Sequence, residues 1–195
     1  AWLRESGNDL SFMRLIAVGS DTWHGSEYAE LAAVAGTNTR VINSYGTAET
    51  TIDSTFFEAI DAAQCAALDQ VMGNAPVPIG HPFAGSRVYV CDSKLRLVPP
   101  GVPGELCIGG AGVALGYVGA PELTAEQFVA DPFMPGGRLY RTGDRARYLD
   151  DGTLVLLGRM DRQIKLRGLR IEPGDIEAAL QGQSEIAASA VDFVA

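Results

Sequence analysis

Residues 13–42 read MRLIAVGSDTWHGSEYAELAAVAGTNTRVI, and the fold class turns on them. The apolar run Met13–Val18, closed by Gly19 and Ser20, predicts a buried strand that ends in a turn. Ser26–Val34 sets Tyr28, Leu31, Ala32 and Val34 in a helical pattern stopped by Gly36, and Thr39–Ile42 predicts a second strand. Strand, helix, strand in that order predicts a parallel α/β layer.

Working outward, helical signals run from Phe57 to Met72, with Gly73 as the stop. From Pro76 the character changes. Ser86–Cys91, Gly104–Ile108, Val113–Val118 and Thr153–Leu157 are short strand candidates punctuated by Gly and Pro, as in a small barrel or sandwich. Asp151 and Gly152, between Arg145–Leu149 and Thr153–Leu157, predict a tight hairpin with positive φ at both residues. Thr124 followed by Gln127 predicts a capping box that opens a short helix through Phe128. Pro173 suits a first helical position, Ile176, Ala179 and Leu180 form the apolar side of the helix it opens, and Gly182 ends it. A last strand is predicted over Ile186–Val194. No internal repeat or low-complexity segment is present.

The chain has 195 residues, 47% hydrophobic, with 15 basic and 24 acidic side chains and a net charge of −9. That apolar fraction fills a core, and the acidic balance argues against nucleic-acid or anionic-membrane partners. No apolar run nears the ~20 residues of a membrane span, and AWLRESGNDL lacks the marks of a signal peptide, so a soluble, cytoplasmic chain is expected. Cys65, Cys91 and Cys107 form no CxxC pair and are odd in number, which predicts buried thiols rather than a disulfide framework or zinc site. Charge is uneven: Arg138–Arg170 holds 9 of the basic and 4 of the acidic residues, a local +5. Two readings stand, a local anionic ligand or a basic strand face balancing acidic neighbours.

Four segments carry the chemistry: VINSYGTAETTID (41–53), GELCIGGAGVALGY (104–117), LYRTGD (139–144) and GRMDRQIKLRGLRIEPGDIEAAL (158–180). Tyr45-Gly46 after a strand offers an aromatic plane beside a flexible corner, and Glu49 could point a carboxylate at a metal ion. Parallel sheets place ligands at such strand ends; the alternative is an ordinary turn with a packed tyrosine. Asp144, preceded by glycine, could accept hydrogen bonds from vicinal hydroxyls or hold its own backbone. The glycines of 104–113 predict tight β turns, since no GK[ST] follows them.

Together these motifs resemble the adenylation domains of nonribosomal peptide synthetases, in the adenylate-forming superfamily. NSYGTAE is similar to that family's NxYGxTE, GELCIGGAGVALGY to GELxIxGxGVxxGY, and YRTGD and GRMDRQIKLRGLRIEPGDIE to the next two motifs in order. The resemblance implies the end of an α/β core layer (1–75), a β-rich, barrel-like section (76–160) and, over 161–195, a hinge and the start of a small α+β subdomain. It implies a nucleotide site of Tyr45, Gly46, Thr47, Asp144, Leu156, Arg159 and Lys165, with Glu49 toward Mg²⁺. It puts Ile16, Val18, Ser44, Ile52 and Asp53 in an amino-acid pocket, the hinge at Asp161, and Gly168 on the loop that approaches after rotation. The implied cofactors are ATP, Mg²⁺ and the phosphopantetheine of a peptidyl carrier protein. An accessory protein or an inserted tailoring domain is a further implied partner.

Two departures stand out. Ala48 replaces a usual threonine, with Thr47 as the nearest hydroxyl, and Leu156 replaces a residue that is often aromatic. The family's glycine-rich phosphate loop and ammonium-binding aspartate are expected upstream of residue 1, and its lysine beyond Ala195. No residue here is therefore assigned as certainly catalytic, and the 195 residues alone are expected not to adenylate. Asp53 suggests a basic or serine-like substrate. The rival expectation is a non-catalytic remnant that serves as a docking module, for which Ala48 is the best support.

Overall fold

The computed structural model describes residues 10–19, 21–59, 64, 76–166, 169–183 and 185–192. Strand β1 (Leu15–Val18) lies parallel to β2 (Arg40–Tyr45), with helix α1 (Gly25–Ala35) between them in sequence, as the strand, helix, strand pattern predicts. The helix starts where the Glu27 carboxylate accepts the His24 amide at 2.9 Å, and it stops at Gly36, whose φ of 83° suits glycine. Tyr28, Leu31, Ala32 and Ala35 share one helical face and pack with Val41, Phe57 and Val77. The buried Tyr28 hydroxyl donates to the Val41 carbonyl at 2.7 Å and accepts the Ala59 amide at 2.9 Å, stitching helix to sheet.

Two expectations change here. Strand β1 is not buried: Leu15 is 45% exposed, because only β2 pairs with it among the described residues. Phe57 opens no helix; it belongs to β3 (Thr55–Glu58), antiparallel to β2, where Thr55 and Phe57 are buried and their neighbours less so. That alternation has the period of a strand. The rest of the helix expected through Met72, together with Cys65, lies outside the described residues apart from helical Gln64. Strand β4 (His81–Pro82) completes this sheet.

The second sheet holds β5 (Ser86–Cys91), β6 (Gly104–Gly110), β7 (Phe128–Ala130), β8 (Arg138–Tyr148) and β9 (Leu154–Arg159). At 11 residues, β8 is long enough to pair with β6 on one side and, on the other, with β7 along its first part and β9 along its last. Tyr45 leaves the first sheet to pack with Ile79, Val88, Leu106, Ala146 and Leu154, so the two sheets share one apolar seam. Cys91 and Cys107 are buried thiols, and burial pushes both upward in pKa.

Turn chemistry accounts for the remaining differences. Only Gly152 (φ 81°) takes positive φ in the β8–β9 connection, and Leu149 and Thr153 close a three-residue loop rather than a two-residue one. Residues 113–118 form a loop, not a strand: Gly110 and Gly116 have φ of 121° and 145°, and Thr124 packs where a Gly116 side chain would stand. Thr124 is not a cap. Helix α2 (Pro121–Gln127) starts at Pro121, Thr124 lies inside it with its hydroxyl donating to the Ala120 carbonyl at 2.8 Å, and Phe128 begins β7.

Beyond β9, β10 (Ile164–Leu166) and β11 (Leu169–Ile171) form a separate two-stranded sheet, followed by α3 (Pro173–Gln181) with Pro173 in its first turn. Ile176 and Leu180 of its apolar side stay 41% and 39% exposed. Residues 186–192 form no strand; the Val191 amide and carbonyl are tied instead to the Glu177 carboxylate and the Arg162 guanidinium.

Candidate functional site

The end of β2 and the β8–β9 hairpin meet at a cleft of about 660 Å³, a size usual for small-molecule sites. Ser44, Tyr45 and Gly46 form one wall, Asp144 and Leu156–Arg159 another, and Trp23, Val77 and Ile79 contribute apolar surface. Gln163 and Ile164 reach its edge from the segment leading into β10.

On that second wall lies Asp144, 5% exposed. The Tyr45 hydroxyl donates to its Oδ2, and Arg159 Nη1 donates to its Oδ1 at 2.9 Å. Backbone pairing produces this meeting, since Asp144 and Arg159 face each other across β8 and β9. The aspartate therefore reaches across strands instead of holding its own turn. A carboxylate offers about four lone-pair sites, so these two contacts leave acceptor capacity on each oxygen. Burial, followed by the Asp144 charge, pushes the Tyr45 phenol well above its ordinary range and keeps it a neutral donor. Arg159 is forked: Nε and Nη2 grip Asp161 at 2.6 and 2.5 Å while Nη1 holds Asp144. Gly143 (φ 70°) lets them close, since a Cβ there would stand 2.8 Å from both Arg159 and Asp161.

Gly46 is as constrained: a Cβ on it would meet the Ile52 carbonyl oxygen at 1.9 Å. The loop from Gly46 to Ser54 carries Glu49 in a single 3₁₀ turn (Ala48–Thr50), followed by Thr51 and Ile52 at φ 62° and 70°. Left-handed backbone at a β-branched residue costs of order 1–3 kcal/mol, and here two stand in succession. Glu49 is 7% exposed and its Oε1 accepts the Tyr117 hydroxyl at 2.7 Å. Burial, then bonds with Tyr140 and Glu49, raise the Tyr117 phenol above its usual range. The Thr47 hydroxyl turns toward that of Thr50, 3.2 Å away, and Ala48 is exposed.

Of the sequence-stated residues, then, Ser44, Tyr45, Gly46, Asp144, Leu156 and Arg159 come together at the cleft. Ile16, Val18, Thr47, Glu49, Ile52 and Asp53 do not line it; Ile52 is 73% exposed and Asp53 is exposed as well. Asp161 touches the cleft through Arg159. The Lys165 side chain and all of Gly168 lie outside what is described. Sequence reasoning missed Trp23, Gln163 and Ile164 as lining and gave Tyr117 no role, although Tyr117 closes one of the quoted motifs. In the basic stretch Arg141 and Arg162 pair with Glu105 and Glu177, and Arg159, at the cleft, pairs with Asp144 and Asp161, as a basic face balancing acidic neighbours would.

Among the described residues no three His, Cys, Asp or Glu side chains gather as a metal cluster, and no helix is long and apolar enough to cross a membrane. Glu49 alone still fits the donor chemistry of Mg²⁺, which is commonly held by one or two carboxylates with substrate phosphates.

Comparison with known proteins points to one family. The family model described as AMP-binding enzyme matches residues 2–118. The chain is 44% identical over 185 residues to gramicidin S synthase 2 of Brevibacillus brevis, covering 95% of this chain and 4% of that protein. It is 46% identical over 180 residues to tyrocidine synthase 3 of Brevibacillus parabrevis, covering 92% of this chain and 3% of that protein. Among solved structures it is similar to NpsA-ThdA, an artificially fused adenylation-PCP di-domain NRPS from Klebsiella oxytoca, with a TM-score of 0.73 and 33% identity over 88% of this chain and 30% of that one. It is also similar to holo-PA1221, an NRPS protein containing adenylation and PCP domains bound to a vinylsulfonamide inhibitor, with a TM-score of 0.74 and 30% identity over 86% of this chain and 28% of that one.

Proposed function

The chain belongs to the AMP-binding enzyme family, and from that premise we propose that it forms part of an amino-acid-activating adenylation domain of a nonribosomal peptide synthetase. The observation that carries the reading is the Tyr45–Asp144–Arg159 cluster at the wall of the cleft. Asp144 binds the ribose hydroxyls, the Tyr45 ring lies against the adenine, and Arg159 balances negative charge beside the ribose and phosphate. Gly46 and Leu156 shape the same surface, and Lys165 and Thr47 complete the nucleotide's surroundings.

The substrate carboxylate attacks the α-phosphorus of ATP and the bond to the β-phosphate breaks, so pyrophosphate leaves and the acyl-adenylate stays bound, without a protein acid or base. Alignment and charge neutralisation do the work. Mg²⁺, met by Glu49, supplies charge neutralisation at the phosphates when bound. The phosphopantetheine thiol of a carrier protein then loses its proton and attacks the acyl carbon, and AMP departs. Residues 1–160 belong to the large subdomain, and 161–195 open the small one, with Asp161 as hinge and Gly168 on its carrier-facing loop. The separateness of the β10–β11 sheet from the five-stranded one supports that boundary.

Ile16, Val18, Ser44, Ile52 and Asp53 fall where the family lines its side-chain pocket, and Asp53 makes a basic or serine-like amino acid the first substrate to try. Because the chain spans only 30% of NpsA-ThdA, the 195 residues by themselves are expected to show no pyrophosphate exchange. One observation favours the second reading, a non-catalytic docking module: Ala48 offers no hydroxyl, and the Thr47 hydroxyl turns to Thr50. ATP–pyrophosphate exchange by the full-length protein across a panel of amino acids, lost in Asp144→Ala, is the expected result. Absence of nucleotide binding in the full-length protein favours the module instead.

A further inference from the structure

We propose that Tyr117 is a positioning residue for Glu49, its hydroxyl holding the carboxylate in the orientation that meets Mg²⁺; the inference rests on the reading of Glu49 just given. The hydroxyl donates to Glu49 Oε1 at 2.7 Å, from a residue 68 positions away in sequence. Each end is anchored separately. Tyr117 donates its backbone amide to Thr124 Oγ1 at 2.9 Å, and its ring meets Phe128 edge-on with centroids 5.3 Å apart. The Glu49 carbonyl accepts the Ala114 amide at 2.8 Å, and the Thr51 hydroxyl donates to the Gly112 carbonyl at 2.8 Å. Gly112 is needed for that approach, because a Cβ there would stand 2.8 Å from the Thr50 carbonyl oxygen.

Three bonds thus stitch the Glu49 turn to the 112–117 loop, and of these the phenol's is the one that reaches the carboxylate itself. A glutamate side chain has three torsions, and a hydrogen bond to one oxygen fixes them before a cation arrives. A carboxylate oxygen that accepts one bond retains a lone pair, and Mg²⁺ demands oxygens in near-octahedral placement. Hydrogen bonds behind metal-binding side chains commonly govern affinity by 10–100-fold.

The test uses the full-length protein. Tyr117→Phe keeps the ring on Phe128 and removes only the hydroxyl. The Mg²⁺ concentration for half-maximal pyrophosphate exchange should rise about tenfold, with the rate at saturating Mg²⁺ within about twofold, and Mn²⁺ affinity in the presence of ATP, read by electron paramagnetic resonance, should fall alongside. Tyr148→Phe removes a similar phenol bond, 2.9 Å to the Val88 carbonyl, and should lower thermal stability without moving either metal readout. Equal shifts in the two phenylalanine variants overturn the inference, since general loosening would then explain both. Glu49→Gln separates the two levels. If it leaves the Mg²⁺ dependence unchanged, the reading of Glu49 falls and the inference with it; if it shifts the dependence while Tyr117→Phe does not, the inference alone falls. Should Tyr117→Phe fail to fold, Thr124→Val, which frees the Tyr117 amide, carries the test in the same direction.

Discussion

Strand β8 carries two acid–arginine clusters side by side, and they differ less in chemistry than in address. Glu105, on β6, and Asp144, on β8, are each 5% exposed. Glu105 accepts Arg141 Nη2 at 2.6 Å and the Gly143 amide at 3.3 Å; Asp144 accepts Arg159 and Tyr45. Burial and pairing are alike in both. What separates them is that Asp144 and its partners stand on the wall of the cleft, whereas Glu105 and Arg141 do not. An ion pair's strength thus says little about whether it holds the fold or faces a ligand; the space beside it decides.

The comparison can be broken by separating activity from stability. The largest effect is expected for Asp144→Asn in the full-length protein: about 100-fold or more lost from kcat/KM in pyrophosphate exchange, together with about 1–3 kcal/mol of stability, since its carboxylate is buried and paired as that of Glu105 is. Gly143→Ala should injure both clusters, because the glycine's amide serves Glu105 and its missing Cβ gives room to Arg159 and Asp161. A loss of about 2–3 kcal/mol in stability together with at least about tenfold slower exchange is expected, from backbone strain and steric clash. Glu105→Gln should cost stability without activity. With Arg141 33% exposed, solvent screening limits the loss to about 1–3 kcal/mol, a fall in Tm of several degrees, with kcat/KM of the folded protein unchanged. If Glu105→Gln costs as much exchange as Asp144→Asn, the distinction fails.

Tyr45→Phe should cost about tenfold in kcat/KM, the low end for a lost hydrogen bond to a charged acceptor. It carries a pH signature. The folded phenol's pKa lies above its unfolded value, so its share of stability is complete below the ordinary tyrosine range and is lost as pH rises toward the folded value. Wild-type Tm should fall between about pH 10 and 11 more steeply than that of Tyr45→Phe, measured by scanning fluorimetry.

Much of this was legible in the sequence because local patterns were strong and consistent. The helix of Gly25–Ala35, the parallel pairing of β1 with β2, and strands β5, β6 and β9 of the second sheet follow from apolar period and glycine stops, whereas β7, begun by Phe128, was read as the end of a helix. What was not legible depends on partners distant in sequence. Leu15 reads as core, yet its exposure is set by which strands lie beside it. Val113–Val118 reads as a strand until its Gly116 takes positive φ against Thr124. The cleft follows the same rule. Tyr45 and Asp144 were visible as motif residues, but their bond spans 99 positions, and Gln163 and Ile164, inside a quoted motif, carried no sign of reaching the cleft.

The contact of Gly46 with the Ile52 carbonyl reaches further than the geometry of one turn. Ile52 and Asp53 are tied into this loop through their amides, which donate to the Thr47 and Thr51 carbonyls, and both residues are exposed. Point changes can therefore accumulate at these positions without unseating the loop, and the left-handed backbone at 52 makes asparagine or glycine the substitutions it would absorb with least resistance.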